Sequence, residues 1–183
     1  MRTTLELKTK DNNIVTVNLK RLDLTYIEKI MELENIILEG LVNKELYATT
    51  DKEEFIYYIN NYGIIIGYVT EDDTLVAMGV YAKKGYDEGN YGYDIDLKGE
   101  ELLNVGQIES TVVREEYRGN SLQKIICEAL EEIAKQEGNT LLCATASPYN
   151  EFSVRTFEKL GYEIKKDKLK YGGLRRYVLV KKI

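Results

Sequence analysis

The sequence predicts a mixed α/β fold: a mostly antiparallel central sheet with one parallel strand–helix–strand crossover and helices on both faces. Three observations predict it. Strand-like and helical hydrophobic periods follow one another in the order β-β-α-α-β-β-β-α-β-α-β-β. A strand, a helix and a strand fill 105–145, the pattern of a crossover between parallel neighbours. The other strands come in turn-linked pairs, which run antiparallel. The chain has 183 residues and no repeat, low-complexity tract or Pro/Ser-rich linker, so it reads as a single domain, 1–183.

Taken in order, Thr3–Leu7 and Ile14–Leu19 are strands separated by the turn Lys10–Asn13. Asp23 then caps a helix in which Leu24, Ile27, Ile30, Met31, Leu33, Ile37 and Leu38 follow helical spacing. Asp51 starts a second helix over Lys52–Asn60. Gly63–Val69 and Thr74–Tyr81 flank the turn-forming Glu71-Asp72-Asp73 and form a hairpin. Lys83–Glu101 is polar and glycine-rich and reads as a loop. Val105–Val113 is a strand. Leu122, Ile125, Ile126, Ala129, Leu130, Ile133 and Ala134 mark the cleanest amphipathic helix of the chain, ended by Gly138. Thr140–Thr145 is a short buried strand. Glu151–Leu160 is a helix stopped at Gly161, and Tyr162–Lys168 and Arg175–Val180 close the fold as an antiparallel pair.

Composition excludes several classes of chemistry. Histidine is absent, so there is no Ser-His-Asp triad, Cys-His pair or imidazole base. Cys127 and Cys143 lie in apolar stretches and read as buried thiols, and no Cys-x-x-Cys spacing offers a metal site. A net charge of −6 disfavours nucleic acid as a partner. The apolar runs are too short to span a bilayer, and no signal peptide is visible, so a cytoplasmic protein without a membrane partner is expected.

The chemistry concentrates where the strand ending at Val113 meets the amphipathic helix, through Arg114-Glu115-Glu116-Tyr117-Arg118-Gly119-Asn120-Ser121. Unpaired N–H groups at a helix start, together with the helix dipole, favour an anion. Gly119 allows close approach of a ligand, and Arg114, Arg118 and Lys124 add positive charge. The same segment also reads as an ordinary strand–turn–helix with Asn120 as N-cap.

Val113 to Gln123 resembles the acetyl-CoA-binding motif of the GCN5-related N-acetyltransferases: an Arg or Gln, two residues, Gly, one residue, then Gly or Ala. Here Ser121 and Gln123 stand where small residues are usual. Ala146 to Tyr162 resembles a later motif of that family, in which Asn150 follows the strand, a small residue (Ser153) comes three on, an aromatic (Phe157) seven on, and Gly161-Tyr162 ends the helix. The resemblance implies the family's acyltransferase fold, acetyl-CoA as cosubstrate, and no metal. It implies that main-chain amides from Arg118 through Gly119, Asn120, Ser121, Leu122 and Gln123 to Lys124 hold the pyrophosphate. It also implies that the backbone of Thr111, Val112 and Val113 pairs with the pantetheine arm as an added strand does, with Asn150 and Ser153 beside it.

Two residues are candidates for proton transfer. Strand alternation puts Glu109 on one face with Thr111 and Val113, near where the resemblance places the acceptor amine, and a carboxylate can take the amine's proton directly or through water. Many family members protonate the leaving thiolate with a Tyr where this chain has Phe157. Tyr149, another of the 15 tyrosines, or water takes that part, or the step needs no acid. The implied reaction moves an acetyl group from acetyl-CoA to a primary amine by direct attack in a ternary complex. The alternative is a non-catalytic acyl-CoA-binding regulatory module on the same fold. The acceptor is a small-molecule or peptide amine, and the assembly a monomer or homodimer. The acidic stretch 23–101 offers a wall for a cationic amine, with Tyr86, Tyr91 and Tyr93 as an aromatic cover.

Overall fold

The computed structural model describes residues 1–183 and has the expected element order. The hairpin of β1 (Thr4–Lys8) and β2 (Ile14–Leu22) leads to helices α1 (Ile27–Gly40) and α2 (Lys52–Asn60). A second hairpin follows, β3 (Gly63–Thr70) and β4 (Leu75–Ala82), then β5 (Val105–Val113), α3 (Leu122–Gln136), β6 (Leu141–Ala146), α4 (Glu151–Lys159), β7 (Glu163–Lys170) and β8 (Leu174–Lys182). The strands form one sheet in the order β1-β2-β3-β4-β5-β6-β8-β7, antiparallel except for β5 beside β6. No helix is long and apolar enough to cross a membrane.

Each face of the sheet carries two helices over its own core. Leu22, Ile30, Leu33, Phe55, Met78, Val80 and Val112 pack beneath α1 and α2. Tyr81, Ile108, Ile126, Leu130, Phe157 and Leu179 pack beneath α3 and α4. Each such side chain contributes about 1.5–3 kcal/mol when fully buried. Phe157 is 2% exposed and meets Tyr162 edge-on at 5.1 Å, so its part is packing. Both cysteines are buried and free.

The structure departs from the sequence pattern in three places. Asp23 accepts a hydrogen bond from the Thr25 amide at 2.9 Å, but the turn it caps is 3-10, Leu24–Tyr26, and α1 begins only at Ile27. The stretch read as a loop after β4 contains 3-10 turns at Tyr93–Ile95 and Gly99–Asn104. The third departure shapes the cleft. The register between β4 and β5 shifts at a bulge: Val80 faces Glu109, whereas Met78 faces Val112. Ser110 in the bulge has φ +45, a left-handed value. The extra residue breaks the alternation. Glu109 is therefore turned toward α2, opposite to Thr111, which faces α3, and the expected shared face of Glu109, Thr111 and Val113 is not formed. Gly79 lies where the registers shift; a Cβ there would come within 2.5 Å of Ile126 Cγ2, so the close seat of α3 on the bulge needs this glycine.

Candidate active site

Beyond the bulge β5 parts from β6. The parallel pairing covers only Val105–Ile108 against Leu141–Ala144. The next residues of β5 turn their free edge to a cleft of about 840 Å³. The cleft runs from the start of α3, between the parted strands, to the α1–α2 connection and Tyr171 after β7. Of the residues singled out from sequence, Glu109, Thr111, Val112, Val113, Arg118, Gly119, Ser121, Leu122, Gln123, Lys124, Asn150 and Ser153 line it.

The α3 end of the cleft is built for an anion. Main-chain N–H groups from Gly119 through Lys124 make no hydrogen bond within the protein. They are the orphan donors of a helix start plus those of the turn before it. Gly119 has φ +91, and a Cβ there would meet nothing within 4 Å, so its outer side is open. Ser121, the N-cap residue, is left-handed too, with φ +59, and gives no side-chain cap. Arg118 and Lys124 are exposed here. Arg114 is not: its Nε donates to Leu75 O at 2.8 Å and its Nη2 to Glu32 at 2.8 Å, on the α1 side. Asn120 is not the N-cap, and its side chain is engaged away from the cleft. Its side chain accepts from the Lys8 amide at 3.0 Å and donates to Lys8 O at 2.8 Å and Tyr117 O at 2.9 Å, so it pins the turn to β1.

Gln123, unusual for its position, bridges the walls. Its Nε2 donates to Thr111 Oγ1 at 3.3 Å and to Ser153 Oγ at 3.0 Å, joining β5, α3 and α4. The Asn150 side chain accepts from the Ser153 amide at 3.2 Å and caps α4. These polar atoms border the gap where β5 lacks a neighbour.

At the other end Glu109 is enclosed, its side chain 10% exposed. Lys84, 8% exposed, pairs with Oε1 at 3.2 Å, Gln107 donates to the same oxygen, and Tyr58 donates to Oε2 at 2.5 Å. Glu54 lies 2.5 Å from the same Tyr58 hydroxyl. Burial first, then the Glu109 charge, pushes the Tyr58 phenol far above its usual value, so it stays a donor. Beside this group, Tyr47 donates to Glu34, and the Thr50 and Ser110 hydroxyls lie 2.8 Å apart. Burial pushes Glu34 up to about 7.

Tyr149 is 53% exposed and outside the cleft lining. The tyrosine that reaches the gap is Tyr171, whose hydroxyl is 2.6 Å from that of Tyr91 and 3.1 Å from Thr145 Oγ1, and which burial raises to about 12. Tyr91 is buried, so it belongs to the cleft floor, while Tyr86 and Tyr93 remain exposed. Of the acidic stretch 23–101 only Glu54 lines the cleft, beside Glu109 of β5. Other acids of that stretch pair elsewhere, Asp94 with Lys168 and Lys170, Asp96 with Lys166, Asp73 with Lys20 and Lys29. Sequence reading missed Tyr47, Thr50, Glu34 and Arg176. The one available signal was Arg176, an arginine sharing the inward period of Val178 and Val180.

Residues 27–162 match the acetyltransferase (GNAT) family. Among solved structures, the chain is similar to yncA from Salmonella typhimurium with its cofactor acetyl-CoA, at 13% identity and TM-score 0.67, covering 91% of this chain and 93% of that one. It is also similar to the paia N-acetyltransferase from Thermoplasma acidophilum in complex with coenzyme A, at 15% identity and TM-score 0.65, covering 91% and 99%. A third is the ribosomal-protein-S18-alanine N-acetyltransferase from Escherichia coli, at 12% identity and TM-score 0.66, covering 91% and 94%. At these identities the likeness is one of fold. No curated protein matches the chain.

Proposed function

The chain belongs to the GNAT acetyltransferase family, and on that premise we propose that it transfers an acetyl group from acetyl-CoA to a primary amine by direct attack in a ternary complex. The observation that carries this reading is the join of two features in one cleft: unpaired amides from Gly119 to Lys124, and the free β5 edge left where β5 and β6 part. Six consecutive orphan N–H groups (Gly119, Asn120, Ser121, Leu122, Gln123, Lys124) fit a pyrophosphate, and a free strand edge fits the amide-bearing pantetheine arm. Asn150 and Ser153 offer polar atoms on the facing wall.

Acetyl-CoA supplies an activated thioester, and the protein's residues align the amine, accept its proton and exclude water. Glu109 is the proton acceptor in this reading. Three donors fix it at the inner end of the cleft, so it takes the proton through a bridging water. The leaving thiolate needs no protein acid, since a free thiol has a pKa of about 8.5. A phenol at about 12, such as Tyr171, is too weak an acid to protonate it and serves as a hydrogen-bond donor. Phe157, packed at the cleft wall, has no proton to give, and Tyr149, at the surface, lies outside the lining, so neither is assigned a part. An amine panel with acetyl-CoA, followed by release of free thiol, tests the reading. Amine-dependent release supports transfer; tight CoA binding with no release from any amine favours the regulatory module.

A further inference from the structure

We propose that the acceptor is an amino carboxylate, an amine bearing a carboxylate that Arg176 receives at the inner end of the cleft. The inference rests on the transfer reading above and names its substrate class. Arg176 is 2% exposed yet lines the cleft. It faces the α1–α2 connection, where Nη1 donates to Glu45 O at 2.9 Å, and to Arg175 O at 2.8 Å. Nη2 is buried and has no hydrogen-bond partner. No carboxylate lies within 4.0 Å of the guanidinium, whereas its neighbour Arg175 pairs with Asp167 at 2.5 Å. The aromatic ring beside it, Tyr171 at 6.0 Å, is a neutral phenol.

A buried cation without a counter-charge is costly, and so is a buried donor without an acceptor. This chain has six more acids than bases, so a partner for Arg176 was available in composition. The fold gives it two carbonyls and no counter-charge in contact with it, at a place where the residue lines the cleft. An incoming carboxylate would supply the missing anion and the missing acceptor together. A monoanion fits better than a dianion such as phosphate. Glu54 and Glu109 line the same cleft, and the Glu45 carboxylate already acts on Arg176 from the α1–α2 connection, so a second negative charge would be repelled. The same two carboxylates around Tyr58 suit the cationic end of a zwitterion. The cleft thus offers a cation and an anionic group to one small molecule with the opposite pair.

The test uses the full chain loaded with CoA or acetyl-CoA. Amino acids of increasing amine-to-carboxylate spacing are each compared with the carboxamide, the decarboxylated amine and the phosphonate of the same skeleton. Binding to the CoA complex is read by calorimetry and transfer by thiol release. The expected result is that at least one carboxylate is preferred over its carboxamide by about 10- to 100-fold, the scale of a buried hydrogen bond to a charged group. In Arg176→Met that ratio should collapse to near one, with CoA affinity retained as the sign of an intact cleft; Arg176→Lys should keep part of it. The comparison within the unaltered protein stands even where the variants do not fold. Carboxylates no better than their amides, no carboxylate bound at all, or a phosphonate preferred would each overturn the proposal. Arg176-dependent carboxylate binding without thiol release would overturn transfer and leave the carboxylate site standing.

Discussion

Two buried carboxylates govern how the inner cleft responds to pH at the scale of the residue: Glu109 lines it, and Glu34 lies behind Tyr47, which does. Glu34 is 1% exposed, its Oε2 has no partner, and burial holds it near 7. In the unfolded chain it titrates near 4.5. Between these values the folded state binds the extra proton, so stability from this group is complete below about 4.5, falls as pH rises, and is lost above about 7. The difference in unfolding free energy between wild type and Glu34→Gln should therefore shift by about 3 kcal/mol in the variant's favour from pH 4.5 to pH 8. Denaturant melts at the two pH values measure it; a constant gap would mean that Glu34 stays ionised. Glu109 is the second. Glu109→Gln keeps the shape but removes the proton acceptor, so kcat should fall about 10²-fold and recover in part at high pH, where more amine arrives neutral. Near-wild-type kcat across pH 6–9 would remove Glu109 from the mechanism.

The turn before α3 is the element on which ligand affinity depends. Its glycine is left-handed, and the side that a Cβ would occupy is empty of protein atoms. A bulky residue at 119 would obstruct only what approaches from outside, at a backbone cost of about 1–2 kcal/mol. Gly119→Val should weaken CoA binding at least tenfold, about 1.4 kcal/mol, with the fold retained. Unchanged affinity by calorimetry would move the phosphates elsewhere. Such elements were legible because their signals are local: helical spacing from Leu122 to Ala134, and the glycine turn before it. The face of Glu109 was not legible. One extra residue at Ser110 reverses the side of every residue before it, and nothing in a run of β-formers marks where a bulge falls. The role of Asn120 was misread for a similar reason. Its partner, Lys8, is remote in sequence and is brought to the turn only by sheet order.

At the scale of the whole molecule, the sheet is two halves sharing a short seam. The strands β1 to β5 form one, and β6, β8 and β7 the other, joined in the sheet through Val105–Ile108 on Leu141–Ala144. Past that seam, only side chains such as Gln123 span the walls. A ligand arm lying in the gap would extend the sheet across the seam, tying both halves to the start of α3. Amides of 111–113 on the free edge should then exchange slowly only when CoA is bound. The molecule as a whole should be stabilised by binding, by about 2.7 kcal/mol at a hundredfold excess over Kd. For a chain of this size that is a rise in Tm of roughly 5–10 °C. Hydrogen exchange with and without CoA separates this from a purely phosphate-held ligand. That alternative would protect the turn at 119–124 and raise Tm alike, but would leave 111–113 exchanging as in the free protein, and this outcome would sink the added-strand reading of the cleft.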